Sequence, residues 1–156
     1  MKRLNKILGI AILVTIALSL MACGKTTDKK NKNITEDEVI KYINELKESS
    51  SFETELSEVD ENVIINTYKI TDTDTSVIKA YVGDGASSEE LVLLKGDSTG
   101  IKEVVKAYLQ DKEDNYSNYM PEEVLKIKNA IFRQYGEYSI ICICKDNKTA
   151  EGILDK

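Results

Sequence analysis

Cysteines, tyrosines and carboxylates are the candidate reactive side chains of this 156-residue chain, which contains no histidine. Without an imidazole, Ser-His and Cys-His nucleophile pairs and histidine-based zinc sites are excluded. The commonest general base near neutral pH is missing as well. Among the remaining side chains are three cysteines, eight tyrosines and 27 acidic residues.

Cys142 and Cys144 flank Ile143 in the most apolar stretch near the end of the chain. On a strand, side chains two residues apart point the same way. Their separation is near the upper limit for a disulfide, and parallel side chains would need a distorted backbone to form one. We therefore predict two buried, small apolar residues, with a strained redox pair as the alternative.

The paired glutamates Glu89 and Glu90 stand at the start of another apolar stretch. They suggest a carboxylate-dependent enzyme acting on envelope glycans as one alternative. Adjacent residues on a strand face opposite ways, so this pair cannot form the opposed carboxylates that glycoside hydrolysis requires. We favour a contact surface for a protein or glycan partner instead, in which Asp84 of the same 83–90 loop takes part.

A second candidate contact lies in the polar segment 114–121, which contains Tyr116 and Tyr119. The pattern predicts irregular structure here, and exposed tyrosines are common in interfaces. The alternative is that these rings pack over the edge of the core. Asp84, Glu89, Glu90, Tyr116 and Tyr119 are thus the candidate partner contacts.

The acidic residues Asp72 and Asp74 are spaced like the start of a calcium-binding loop. An EF-hand would need glycine and glutamate at the positions that Val77 and Gly83 occupy. We interpret the segment as a solvated turn. The sequence therefore predicts no metal, no cofactor and no catalytic residue.

The third cysteine, Cys23, follows a leader typical of exported proteins. Three basic residues occur among the first six, and residues 7–21 are uncharged and almost wholly apolar. This stretch is short for a membrane-spanning helix and typical of a signal peptide. The sequence Leu20-Met21-Ala22-Cys23 resembles the bacterial lipobox. That resemblance implies cleavage between Ala22 and Cys23, a diacylglyceryl group on the Cys23 thiol, and attachment to the extracytoplasmic face of the cell membrane.

We accordingly predict a lipoprotein signal peptide at 1–22, the lipidated cysteine with a flexible tether at 23–34, and a single domain at 35–156. Without residues 1–22 the chain carries 18 basic and 27 acidic side chains, a net charge of −9. Such a surface disfavours nucleic acid, whose binding depends on lysine and arginine. The alternative is an ordinary signal peptide or an uncleaved N-terminal anchor, with Cys23 incidental.

The elements that must position these side chains follow from hydrophobic spacing and turn residues. Thr35 and Glu38 predict a capping box, and residues 59–68 fit a short helix or a strand, of which we favour the helix. The predicted order is α, short α, β, β, α, α, β, α. The segments, in that order, are a helix from Thr35 to about Glu48, the helix within 59–68, strands at 77–82 and Glu90–Lys95, a helix around 101–109, a helix from Pro121 through Ile131 that ends at Gly136, a strand at 138–145, and a helix around 150–154.

This order predicts an α+β fold: a small antiparallel or mixed sheet of about three strands packed against helices in two layers. The two central strands are expected to be antiparallel, because the 83–90 loop is too short for a crossover.

Four motifs within this order resemble a known family when they are taken together. They are residues 85–95, Tyr119-Met120-Pro121-Glu122, Lys128-Asn129-Ala130 and Gly136-Glu137-Tyr138. With the lipobox, the chain is similar to the Gram-positive lipoprotein family known as domain of unknown function 4358, over roughly residue 35 onward. The resemblance implies an anchored envelope protein, associated with machinery that modifies surface polysaccharides. It carries over no catalytic residue. A non-enzymatic binding or accessory role is our own hypothesis.

Overall fold

The structure, a computed structural model, describes residues 34–156. Within them the chain forms five helices and five strands that pack into an α+β domain. In chain order these are α1 (Glu36–Lys47), β1 (Ser57–Glu58), α2 (Glu61–Tyr68), β2 (Ser76–Val82), β3 (Glu90–Lys95), α3 (Ser98–Ser117), α4 (Pro121–Lys128), β4 (Ile131–Tyr135), β5 (Tyr138–Ile143) and α5 (Asn147–Leu154).

The strands form one open antiparallel sheet in the order β1-β2-β3-β5-β4. The α+β class and the antiparallel β2–β3 pair are confirmed. The prediction of about three strands is wrong, because β1 and β4 were missed. β1 has only two residues, Ser57 and Glu58, which pair with Val82 and Tyr81 at the end of β2. So short a strand leaves no hydrophobic alternation to recognise.

β4 occupies the segment that was predicted to continue helix α4 as far as Gly136. The helix ends earlier, with Asn129 as its C-cap. Ile131, Arg133 and Tyr135 are buried in alternation with partly exposed neighbours, which is the period of a strand. Gly136 adopts a left-handed φ of 60° in the tight turn between β4 and β5. It therefore closes a hairpin instead of ending a helix.

The core has two parts, one on each face of the sheet, so the predicted two-layer arrangement is wrong as well. Successive residues of β3 alternate between them: Leu91 and Leu93 join one cluster, Val92 and Leu94 the other. Helices α1 and α5 cover the first face, and α2 and α3 cover the second. Both faces of the central strands are apolar for this reason, which gives three layers.

Most helix boundaries match the sequence-based expectation. The capping box at Thr35 and Glu38 is formed, and residues 59–68 contain helix α2. Besides the early end of α4, the difference lies in α3, which continues to Ser117, so that Tyr116 is helical and not part of an irregular segment. Among the helices of residues 34–156, none combines the length and apolar character needed to cross a membrane.

The chain enters the domain at one end of the sheet, and the 83–90 loop lies at the other. Glu36, at the start of α1, lies 3.6 Å from the Lys95 ammonium and accepts a 3.4 Å hydrogen bond from Tyr138. Lys95 ends β3, while Glu90 begins it. Six residues of strand span about 17 Å. Helix α1 runs opposite to β3, from the Lys95 end toward the Glu90 end. Near the end of the helix the Lys47 ammonium lies 4.7 Å from the centroid of the Tyr81 ring, and Tyr81 pairs with Leu91 at the start of β3.

Candidate functional site

The end of the 83–90 loop is the most unusual part of the domain, because four consecutive polar residues there are buried. Ser87, Ser88, Glu89 and Glu90 are each at most 8% exposed. We call these four residues the Ser-Ser-Glu-Glu segment. Burying a charge without partners is costly, so each carboxylate needs several donors within the domain. The strand alternation sends Glu90 to the α2/α3 face and Glu89 to the α1 face.

Glu90 is held by three donors on the α2/α3 face. Its carboxylate accepts hydrogen bonds from the Tyr68 hydroxyl at 2.6 Å, the Tyr108 hydroxyl at 2.5 Å and the Lys112 ammonium at 2.6 Å. The two phenol rings stack with their centroids 3.9 Å apart. Lys112 also donates to the Tyr108 hydroxyl at 2.8 Å. The result is a closed polar cluster inside an otherwise apolar face.

Both phenols in this cluster are fixed as proton donors. Burial, followed by the negative charge of Glu90, raises the pKa of Tyr68 and of Tyr108 well above the ordinary tyrosine value. A phenol with a raised pKa stays neutral near pH 7, so it donates to the carboxylate and does not act as a base.

On the α1 face, Glu89 binds the segment that follows helix α1. Its carboxylate accepts from the backbone N–H groups of Glu53 and Thr54 at 2.9 Å and from the Thr54 hydroxyl at 3.0 Å. The same segment is tied down again at the buried Ser51, whose carbonyl accepts from the N–H groups of Lys145 and Asp146. Two anchors therefore fix the course of residues 51–54.

Gly83 makes room for this contact. A Cβ atom at residue 83 would lie 2.7 Å from the Thr54 hydroxyl oxygen and 3.2 Å from the Ser87 Cβ. A larger residue would push against Thr54, which donates to Glu89. The glycine is thus required by close packing, and its own N–H donates to the Glu89 carbonyl at 2.9 Å.

Helix α4 holds the middle of the segment. The Glu123 carboxylate accepts from both the N–H and the hydroxyl of Ser88 at 2.8 Å. The Lys126 ammonium lies 3.0 Å from Glu123, 3.1 Å from Glu53 and 3.6 Å from Glu89. Burial alone would raise the pKa of Glu123, but the Ser88 hydrogen bonds and Lys126 outweigh it and keep that pKa below its ordinary value. The pKa of Lys126 is raised, since burial is outweighed by its carboxylate partners.

Tyr116 lies between two carboxylate clusters, one around Glu90 and the other formed by Glu89, Glu123 and Lys126. Its hydroxyl donates to the Ser87 carbonyl at 3.0 Å. Burial and the charges of Glu123 and Glu90 are among the causes that raise its pKa. Its ring lies 5.3 Å from that of Tyr119, centroid to centroid. Tyr116 therefore clamps the segment from helix α3.

The candidate partner contacts thus separate into two groups. Glu89 and Glu90 are buried and fully engaged, and Tyr116 is partly buried. Asp84 is exposed, with a carboxylate that accepts from the Ala86 N–H at 3.0 Å in a local turn. Tyr119 is 63% exposed, one of the large hydrophobic side chains on the surface. Asp84 and Tyr119 remain the accessible members.

The remaining cysteines behave as core residues. Cys142 and Cys144 are buried, unbridged and part of the core on the α1 side. A hydrogen bond with Cys144, and then burial, raise the pKa of the Cys142 thiol well above its ordinary value, so the reactive thiolate is disfavoured. Ala22 and Cys23 lie outside the described residues.

Sequence reasoning missed the side chains that hold the two glutamates. Tyr68, Tyr108, Lys112, Glu123 and Lys126 were not singled out. One signal was available: Tyr108, Lys112 and Tyr116 recur every four residues, so they share one face of a helix. Nothing local indicates that this face meets Glu90.

Chemically, the arrangement is suited to holding the chain in place. The carboxylates of Glu89, Glu90 and Glu123 tie helices α2, α3 and α4 and residues 53–54 to the Ser-Ser-Glu-Glu segment. Within residues 34–156, no three Cys, Asp or Glu side chains are grouped so as to hold a metal ion.

The comparisons with known proteins agree with the resemblance seen in the sequence. No curated protein and no solved structure matches the chain significantly. The family model described as Domain of unknown function (DUF4358) matches residues 48–144, which include the Ser-Ser-Glu-Glu segment, both carboxylate clusters and the buried cysteines. The match begins after helix α1, later than the expected residue 35. Because it covers more than half of the chain, the protein belongs to the DUF4358 family.

Proposed function

We propose that the protein is a membrane-anchored cell-surface lipoprotein with a non-enzymatic binding or accessory role in the cell envelope. The anchoring rests on the Leu20-Met21-Ala22-Cys23 motif behind a basic and apolar leader. The anchor is a diacylglyceryl group on Cys23, whose two acyl chains give stable attachment where one would not. As the finer proposal, the accessory role serves machinery that modifies surface polysaccharides, as the sequence resemblance implies.

The non-enzymatic role rests on one structural observation. Glu89, Glu90 and Glu123 are buried, and each accepts hydrogen bonds from groups of the domain itself. A general base must reach a proton of the substrate. Side chains committed to holding the backbone are better suited to shaping a surface than to turnover.

A carboxylate-dependent enzyme acting on envelope glycans is the competing function. It would need a second carboxylate opposite Glu90 across an open site. The nearest buried carboxylate in sequence, Glu89, faces the other side of the sheet. Turnover of a cell-wall glycan that is abolished by Glu90→Gln, in a variant that still folds, would support the enzyme and contradict our proposal.

Metabolic labelling with a clickable fatty acid tests the anchor. We expect label on the wild type and on a Cys144→Ala control, because that thiol is buried in the core. Cys23→Ala should carry no label and should leave the membrane fraction. A Cys23→Ala protein that kept both label and membrane attachment would rule out lipidation at this residue.

The same membrane fraction tests the binding role. Solubilised wild-type protein should capture a reproducible envelope protein or glycan, and Tyr119→Ala should reduce the capture, because Tyr119 is the most exposed aromatic candidate. Asn66→Ala, a change of an exposed residue on helix α2, serves as the surface control. Equal capture by wild type and Tyr119→Ala would remove Tyr119 from the contact surface.

A further inference from the structure

A polar groove opens beside the segment that Glu89 holds in place. Its volume is about 300 Å³, and it lies between the end of helix α1 and residues 49–56. That is the lower end of the size range of small-molecule sites in proteins. One wall comes from Asn44, Lys47 and Glu48, and the other includes Phe52, Thr54 and Glu55.

The second wall is rigid because buried groups fix it from behind. Thr54 donates its N–H and its hydroxyl to Glu89. Ser51 accepts two backbone hydrogen bonds from the chain after β5. Phe52 packs against the core on the α1 side while also lining the groove. The groove is therefore built in advance of any ligand, which lowers the entropic cost of binding.

The polar side chains that line the groove are available to a ligand. Asn44, Glu48 and Glu55 are exposed, and within residues 34–156 none of the hydrogen bonds or ion pairs of the domain uses their side chains. Together they offer one amide, which both donates and accepts, and two carboxylates, which accept.

These groups indicate the chemistry of the ligand. Planar amides and carboxylates can pair with neighbouring hydroxyl groups, and a phenyl ring can pack against the C–H face of a sugar. Two carboxylates outnumber the single ammonium of Lys47, which disfavours a phosphate or another anion. The mostly polar lining also disfavours an apolar ligand.

We propose that this groove binds a short neutral oligosaccharide. The inference rests on the proposed function as a non-enzymatic envelope protein and adds a ligand class and a site to it. The groove also lies at the end of the domain away from chain entry, because α1 begins at the Lys95 end of β3 and ends near Tyr81. On an anchored protein the groove therefore lies at the end of the domain opposite the point where the tether joins it.

The test is titration of the purified full-length protein in detergent with two probes, cellotetraose and the tetramer of N-acetylglucosamine. Ligand-observed NMR suits the weak binding expected of a small open groove, with Kd of about 0.1–1 mM. We expect at least one tetrasaccharide to bind. Asn44→Ala and Glu55→Gln should each weaken binding about 3- to 10-fold, because the first removes the amide and the second replaces one acceptor oxygen of a charged carboxylate with an amide donor.

The controls match the variants in type and exposure. Asn66→Ala on α2 and Glu103→Gln on α3 alter exposed residues far from the groove wall, so they should leave the affinity unchanged. Spermidine serves as a probe for simple attraction of cations. Binding of spermidine with no binding of either tetrasaccharide would overturn the inference, as would equal affinities for wild type and both groove variants.

The outcomes separate this inference from the proposed function. Labelling of Cys23 without tetrasaccharide binding would overturn the groove and leave the anchor intact. Cleavage of a bound tetrasaccharide, seen as new sugar signals during the titration, would uphold the groove and overturn the non-enzymatic role.

Discussion

Three donors converge on the carboxylate of Glu90 beside two stacked tyrosine rings. Two of the donors are neutral phenols, and the third is the Lys112 ammonium. Removing one partner of a buried ion pair leaves the other charge uncompensated. The stability of the α2/α3 face therefore depends on this single carboxylate.

We expect Glu90→Gln to lower the free energy of unfolding by about 2–3 kcal/mol, because Lys112 loses its carboxylate and the charged hydrogen bonds become neutral. Urea denaturation followed by circular dichroism measures this. Combining it with Lys112→Met should recover part of the loss. Glu103→Gln, an exposed change on helix α3, serves as the control. A midpoint for Glu90→Gln equal to that of the wild type would show that the cluster does not stabilise the fold.

Glu123 links stability to pH. Its pKa in the folded protein is below its ordinary value of about 4.3. A lowered pKa contributes stability above the pKa of the unfolded chain, and this contribution is lost as the pH falls through the folded value. The charged side chain in contact with Glu123 is Lys126, whose ammonium lies 3.0 Å from its carboxylate.

The wild type should therefore exceed Glu123→Gln in stability by about 1–2 kcal/mol at pH 7, and the difference should shrink below about pH 4. Urea curves of both proteins at pH 7, 5 and 3 measure it. Ser88→Ala, which removes one donor to Glu123 but no charge, should show a weaker dependence on pH. A difference that stayed constant from pH 7 to pH 3 would contradict this account.

At the scale of elements, β4 forms an edge of the sheet and carries an inward-pointing charge. Arg133 is 2% exposed, and its guanidinium pairs with Asp155 at 3.3 Å after helix α5. Its Nε and Nη1 atoms have no hydrogen-bond partner within the described residues. Inward-pointing charges on edge strands are one way in which proteins avoid edge-to-edge association.

Arg133→Met should raise the free energy of unfolding by about 1 kcal/mol, because a poorly satisfied buried charge is replaced by an apolar side chain of similar length. The same change should increase self-association through the β4 edge. Urea denaturation and sedimentation velocity measure the two effects. A variant that was less stable than the wild type would show that Arg133 contributes more to packing than it costs in desolvation.

The elements also show which features of the fold can be predicted from the sequence. Capping at Thr35, the β2–β3 pair and the proline at the start of α4 were predictable because their signals are local. β4 was not, since Ile131 continues the helical spacing of α4 and only the hairpin with β5 shows otherwise. The same holds at the site. Glu89 and Glu90 could be predicted to face opposite ways, but their partners Thr54 and Tyr68 are distant in sequence.

At the scale of the whole molecule, the domain has two different ends. Chain entry, Glu36 and Lys95 mark one end, and the groove, Asp84 and the Ser-Ser-Glu-Glu segment mark the other. The exposed Asp84 and the proposed oligosaccharide site therefore lie away from the point where the chain enters the described domain.

The tie between Ser51 and the chain after β5 has a consequence for the timing of folding. A polypeptide leaves the ribosome or an export channel with its N-terminus first, and contacts between residues distant in sequence form late. The Ser51 carbonyl can accept its two hydrogen bonds only after Lys145 and Asp146 have left the ribosome or channel. Helix α1 can form early, but the groove wall beside it can be completed only after residues 145 and 146 have been synthesised. A chain that stops before residue 145 is therefore expected to lack the proposed oligosaccharide site.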